Sequence, residues 1–120
     1  RLIVSDDGST DFTLQILSTY QERWGESRME IRQGPKLGFC KNFLSLIGDH
    51  SIKGDYFALC DQDDVWLSSK LEVAIKYFEG HTKDIARMYC GRTIYIKEDG
   101  HVIGESPCFV HPKTFRNAFY

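Results

Sequence analysis

The chain has 120 residues, 42% apolar and 27% charged side chains, and a formal net charge of −2. That suits one domain with a modest core and an ordinary globular composition. It excludes two classes: Lys and Arg are scattered without a basic block for nucleic acid, and no apolar run approaches the roughly 20 residues a membrane-spanning helix needs.

Arg1 leads almost at once into an apolar segment, Leu2-Ile3-Val4, which reads as a buried strand ended by polar turn residues. From Thr10 to Trp24, Phe12, Ile16, Tyr20 and Trp24 recur every four residues with Leu17 on the same face. This predicts an amphipathic helix with Ser9 or Thr10 as cap, Asp11 suited to its positive first turn, and Gly25 as its stop. Met29-Glu30-Ile31 suggests a further strand. Between Leu37 and Ile47, the apolar residues Phe39, Phe43, Leu46 and Ile47 share a helical face that Gly48 ends.

Tyr56 to Cys60 reads as another buried strand, running straight into Asp61-Gln62-Asp63-Asp64. Ser69-Lys70-Leu71-Glu72 has capping-box spacing, followed by a stripe of Leu71, Ala74, Ile75 and Phe78 and by Gly80 at the exit. Met88 to Ile96 is a predicted strand, and Glu98-Asp99-Gly100 turns it into His101-Val102-Ile103 as a hairpin. After Pro107 no period is evident, and Gly104 to Pro112 is the linker-like stretch. The alternation predicts an α/β layered α/β/α domain with a mostly parallel sheet.

Cys40, Cys60, Cys90 and Cys108 form no CxxC unit, and the first three lie in apolar segments. They read as reduced, small core residues, which suggests a cytoplasmic setting. His50, His81, His101 and His111 are dispersed, so no zinc site is expected.

The informative pattern is a pair of acidic loops, Asp6-Asp7-Gly8-Ser9-Thr10-Asp11 and Asp61-Gln62-Asp63-Asp64, each following a predicted strand. In an open parallel sheet, ligands bind beyond the carboxyl ends of the strands. Carboxylates gathered there repel unless a cation joins them, and hard oxygen donors suit Mg²⁺ or Mn²⁺ shared with a diphosphate. A remaining carboxylate can accept from a ribose hydroxyl or a base N–H. Each loop alone has a bland reading, Asp6 and Asp11 as turn and cap residues, Asp61 to Asp64 as a surface loop. Their coincidence favours a site.

VSDDGSTD, followed some fifty residues on by DYFALCDQDDVWLSSKLE, resembles the donor-binding half of family-2 glycosyltransferases with the GT-A fold. The DQDDVW form, with GFCKNF before it and IKEDGHVIGES after it, is most similar to rhamnosyltransferase-like members. The likeness runs from Leu2 to about Ser106. It implies that residues 1–120 form a partial glycosyltransferase domain, Rossmann-like in its layers, with an N-terminal strand and the acceptor half outside the segment. It implies an inverting, metal-dependent transfer from a nucleoside-diphosphate sugar, dTDP-rhamnose being the first guess, to a glycan or lipid-linked saccharide, as in polysaccharide biosynthesis.

Carried over position by position, the resemblance makes Asp7 the carboxylate that contacts the base, with Asp6 beside it. Asp61, Asp63 and Asp64 match the DXD region: Asp63 would take the ribose or the metal, and Asp64 the metal. Lys36 would face phosphate, or else be a solvated loop lysine. Trp66 would shape the pocket wall, or else anchor a core. Asn42 and Phe43 would pack their helix or bond locally. Glu98, Asp99 and Glu105 read as solvated loop residues, so the general base is expected outside the segment, and residues 1–120 alone are expected to be nearly inactive. Peripheral association with the cytoplasmic membrane face would come through parts beyond the segment.

Two other readings compete. Asp61-Gln62-Asp63-Asp64-Val65 also fits the D-x-D-x-[TV] pattern of haloacid-dehalogenase-type phosphatases, with Asp61 as nucleophile, Asp63 as acid/base and Mg²⁺ beside them. That reading leaves DDGSTD without a role. The chain could also be a nucleotide-sugar-binding module without catalysis. EF-hand spacing fails in both loops.

Overall fold

The structure is a computed structural model that describes residues 1–81 and 85–108. It divides into two compact units, Arg1–Asp64 and Val65–Tyr120. The α/β class holds, with a parallel strand pair and three helices among the described residues.

In the first unit, β1 (Leu2–Asp6), α1 (Thr13–Trp24), β2 (Met29–Gln33) and α2 (Phe39–Ile47) follow one another. β1 and β2 pair in parallel from Leu2↔Met29 to Asp6↔Gln33. Parallel neighbours need a crossover, and α1 supplies it. Leu2 N–H donates to Arg28 O at 2.8 Å and Gly34 N–H to Asp6 O at 2.7 Å, extending the pairing at both ends. Met29 is the fully buried apolar side chain among the described residues, 2% exposed, and Gln21 Nε2 donates to its carbonyl at 3.1 Å.

α1 starts three residues later than expected, and neither Ser9 nor Thr10 caps it. The reason is local: Ser9 N–H donates to the Asp6 carboxylate, drawing the chain into a loop, and Asp11 Oδ1 accepts from Thr13 N–H at 3.0 Å instead. Gly25, at φ 83°, ends the helix. The predicted apolar face is present, but Phe12, Ile16, Tyr20 and Trp24 are all exposed.

The strand expected at Tyr56 to Cys60 does not form. These residues belong to neither sheet among the described residues, and Tyr56, Phe57 and Leu59 are exposed. Apolar content permits a strand, but only a ladder partner makes one, and β1 and β2 pair with each other. The four cysteines form no disulfide among the described residues, and all are exposed rather than core residues. Cys40 sits on an exposed position of α2, and Cys60 and Cys90 lie in stretches that join no ladder.

In the second unit, α3 (Lys70–Glu79) carries Ala74, Ile75 and Phe78 half-buried, with Leu71 exposed. The capping box is not made: Ser69 forms no side-chain cap, and the Glu72 carboxylate accepts from Lys76 Nζ at 2.5 Å one turn on. Gly80 ends α3 as predicted. β3 (Ile94–Ile96) and β4 (Val102–Glu105) form the antiparallel hairpin, with a register shift between Tyr95 and Ile96. Gly100, at φ 83°, makes its turn, closed by Lys97 N–H to His101 O at 2.9 Å. β3 is much shorter than the predicted Met88–Ile96, because its ladder partner ends at Glu105, opposite Ile94. Beyond that, Thr93 and Ser106 exchange bonds that close the ladder.

Most of the tail beyond Pro107 lies outside the described residues. No helix of the described residues is long and apolar enough to cross a membrane.

Candidate functional site

The carboxyl end of β1 organises the first acidic loop. Asp6, 8% exposed, accepts from Gly8 N–H and Ser9 N–H, each at 3.1 Å to Oδ2. The Ser9 side chain, joined by the Gly8 and Ser9 amides, holds its carboxyl below the ordinary range despite burial. Asp6 is therefore an ionised group whose acceptor capacity is largely spent on shaping its own turn.

Asp7 reaches across to the segment that follows β2. Its Oδ1 accepts from Lys36 N–H at 2.6 Å and its Oδ2 from Gly38 N–H at 2.7 Å. Both contacts depend on left-handed backbone: Lys36 has φ 60° and Gly38 φ 86°. The aliphatic stem of Lys36 lies along Gly8, where an added Cβ would stand 3.4 Å from Lys36 Cγ, Cδ and Cε. Asp6, Asp7 and Lys36, three of the residues singled out from sequence, thus share the carboxyl rim of the β1–β2 pair.

Behind this rim lies a contact the sequence reading missed. Asn42 Nδ2 donates to Ser5 O at 2.8 Å, and Ser5 Oγ donates to Asn42 Oδ1 at 2.5 Å. Gly34 packs against the same amide: a Cβ there would meet Asn42 Oδ1 at 2.5 Å and Asp7 Oδ1 at 2.7 Å. The expectation that Asn42 bonds locally is corrected, since its partner is 37 residues away. A signal was available: Asn42 sits between Phe39 and Leu46 on the otherwise apolar face of α2, where an amide needs a specific partner.

Asp61, Asp63 and Asp64 occupy an exposed turn at the end of the same unit, with Asp64 N–H donating to Asp61 O at 3.3 Å. Among the described residues, no three His, Cys, Asp or Glu side chains gather into a group able to hold a metal. An all-protein cage is therefore not what these residues provide. Their chemistry fits the other common arrangement, in which Mg²⁺ takes one or two exposed carboxylates and completes its shell with water and substrate phosphate. In the second unit, the Trp66 ring lies beneath Lys70 Nζ at 4.2 Å. Its Nε1 is buried without a hydrogen-bond partner among the described residues.

The glycosyl transferase family 2 profile matches residues 1–118. An uncharacterised protein of Mycobacterium tuberculosis strain H37Rv is 33% identical over 108 residues, 89% of this chain and 30% of that protein. The dTDP-rhamnosyl transferase RfbG of Shigella flexneri is 37% identical over 76 residues, 62% of this chain and 26% of its own length. An uncharacterised glycosyltransferase of Mycoplasma pneumoniae is 27% identical over 90 residues, 75% of this chain and 29% of that protein. The chain thus spans less than a third of the length of the curated relatives it matches. No solved structure matches at a significant level. The family match takes in both acidic loops, including the DDGSTD segment that a phosphatase reading leaves idle. The chain belongs to glycosyl transferase family 2.

Proposed function

We propose that the protein carrying this chain transfers a sugar from a nucleoside-diphosphate sugar to a glycan or lipid-linked acceptor, and that residues 1–120 form its donor side. The observation that carries this reading is the rim at which Asp6, Asp7 and Lys36 meet, in a chain matched to family 2 along nearly all its length. The likeness to a dTDP-rhamnosyl transferase supports activated rhamnose as the donor.

Sugar transfer lengthens the bond between the anomeric carbon and the diphosphate, so negative charge accumulates on the departing phosphate. The Lys36 ammonium on this rim is suited to oppose that charge. Asp7 and Asp63 are the carboxylates assigned to the base and the ribose, as acceptors for an N–H and a hydroxyl. Asp64, joined by Asp63 where that residue does not take the ribose, would hold a divalent ion, which when bound supplies Lewis-acid stabilisation of the diphosphate. In a direct displacement with inversion, the acceptor hydroxyl gives its proton to a general base, which we place outside residues 1–120. The setting proposed is the cytoplasm, at or near the inner face of the membrane.

The test is a titration of UDP, TDP and GDP into the full-length protein, with and without Mn²⁺. Binding strengthened by Mn²⁺ and weakened about tenfold or more in Asp63→Asn and Asp64→Asn is the expected result. Nucleotide binding indifferent to Mn²⁺ and to both substitutions would remove the DQDD segment from the donor site.

A further inference from the structure

The acidic rim does not hold itself in place. β1 ends at Asp6, and the segment carrying Lys36 leaves β2 beyond Gln33. The Asn42 side chain joins the two: it grips Ser5 through both the carbonyl and the hydroxyl, one residue before Asp6. It also lines the space against which Gly34 turns. Asn42 Oδ1 and Asp7 Oδ1 both lie within 2.7 Å of the point that a Gly34 Cβ would occupy. Two groups therefore converge on the Lys36 loop at a spot that only glycine leaves open. One is a helix amide, Asn42, and the other the Asp7 carboxylate just beyond β1.

We infer that Asn42 is a positioning residue for the donor side, fixing the direction in which Asp7 and the Lys36 loop leave the sheet. The inference rests on the donor-site reading above and adds a group that touches no ligand. The amide suits the task because it donates and accepts at once: Nδ2 takes the Ser5 carbonyl and Oδ1 the Ser5 hydroxyl. Alanine loses both bonds. Aspartate keeps the acceptor, loses the donor, and brings a second negative charge beside Asp7. Gly34→Ala should imitate Asn42→Ala, since its methyl would enter the space that both oxygens border.

The experiment measures TDP and UDP binding, with Mn²⁺ present, to the full-length protein. Asn42→Ala and Gly34→Ala should each weaken binding about tenfold, and Ser5→Ala, which leaves the carbonyl acceptor in place, about threefold. A merely structural defect would act independently of the site residues, so the deciding readout is a pair of double-mutant cycles. Asn42→Ala combined with Asp7→Asn should bind no more weakly than Asp7→Asn alone. Combined with Asp64→Asn, it should multiply the two losses.

Wild-type affinity in Asn42→Ala, or independent losses in the Asp7 cycle, would overturn the inference and leave the donor site standing. If Asn42→Ala does not fold, unchanged binding in Ser5→Ala would overturn it equally. Absence of nucleotide binding by the unsubstituted protein would instead sink the donor-site reading, and this inference with it.

Discussion

Two left-handed residues either side of Leu37, Lys36 and Gly38, set the shape of the Lys36 loop, and they should respond to substitution unequally. Gly38, at φ 86°, has open space where a Cβ would stand, so Gly38→Ala meets only the backbone cost of a left-handed L-residue. At φ 86° and ψ 166°, a region essentially reserved for glycine, that cost is about 1–3 kcal/mol. Lys36 already bears a left-handed φ of 60°, at about 1–2 kcal/mol. Lys36→Gly relieves the strain but gives the unfolded chain more freedom, worth about 0.5–1 kcal/mol, so the stability change should be small. Denaturant midpoints should fall clearly for Gly38→Ala and barely for Lys36→Gly, while nucleotide binding falls in both. A silent Gly38→Ala would show that Asp7 does not hold this loop in the conformation described. Little of this was legible in the residues. A DDGS run announces a turn, but that Asp7 would reach the amides of Lys36 and Gly38 depends on β1 and β2 ending side by side.

At the scale of elements, β2 is tied to the exit of α2 by charge. Arg32 pairs with Asp49 across the loop and with Glu30 at 2.5 Å, and Glu30 also meets Arg1. The Ser51 amide and hydroxyl, with Arg32 beside them, lower the Asp49 carboxyl from its ordinary 3.8 to about 2. A carboxyl whose folded pKa lies below its unfolded one stabilises the fold above the unfolded value. That contribution is lost as pH falls through the folded value. Asp49 should therefore support the fold fully above about pH 4 and cease to do so near pH 2. In the full-length protein, Asp49→Asn should lower stability at neutral pH and flatten the acid limb of an unfolding titration over that window. An acid limb unchanged by the substitution would mean that Asp49 does not keep its Ser51 and Arg32 contacts in solution.

The same scale shows where sequence patterns suffice. The helices at 13–24, 39–47 and 70–79 follow from apolar periodicity and from Gly25, Gly48 and Gly80, which stop them. The hairpin follows from Asp99-Gly100, whose glycine supplies the left-handed turn. The helix starts were less legible, because Asp6 and Lys76 compete for groups that were expected to make caps. Residues 56–60 show the sharper limit. Their composition is that of a buried strand, but a strand is a relation between two segments, and nothing in the five residues says which segment pairs with them.

At the scale of the molecule, many apolar side chains among the described residues remain uncovered. Phe12 at the head of α1 and Ile16, Tyr20 and Trp24 along it are each at least 45% exposed, as are Phe57 and Leu59 ahead of the DQDD turn. A chain of this size normally buries well over half of what it exposes when unfolded, and contiguous apolar patches of this kind mark surfaces that bind something or aggregate. On the proposal made above, that residues 1–120 are the donor side of a longer family 2 protein, other parts of that protein would cover these apolar faces. A polypeptide of residues 1–120 alone should therefore bind a hydrophobic dye such as ANS strongly and melt over a broad range. The full-length protein should bind little dye and unfold sharply. Adding TDP with Mn²⁺ should sharpen the transition of the full-length protein and leave that of the short polypeptide unchanged, because a rim mounted on an unfixed sheet cannot hold its carboxylates in register. If the short polypeptide instead melts cooperatively with little dye bound, the two-stranded parallel sheet and its helices are self-sufficient, and the exposed faces need another explanation.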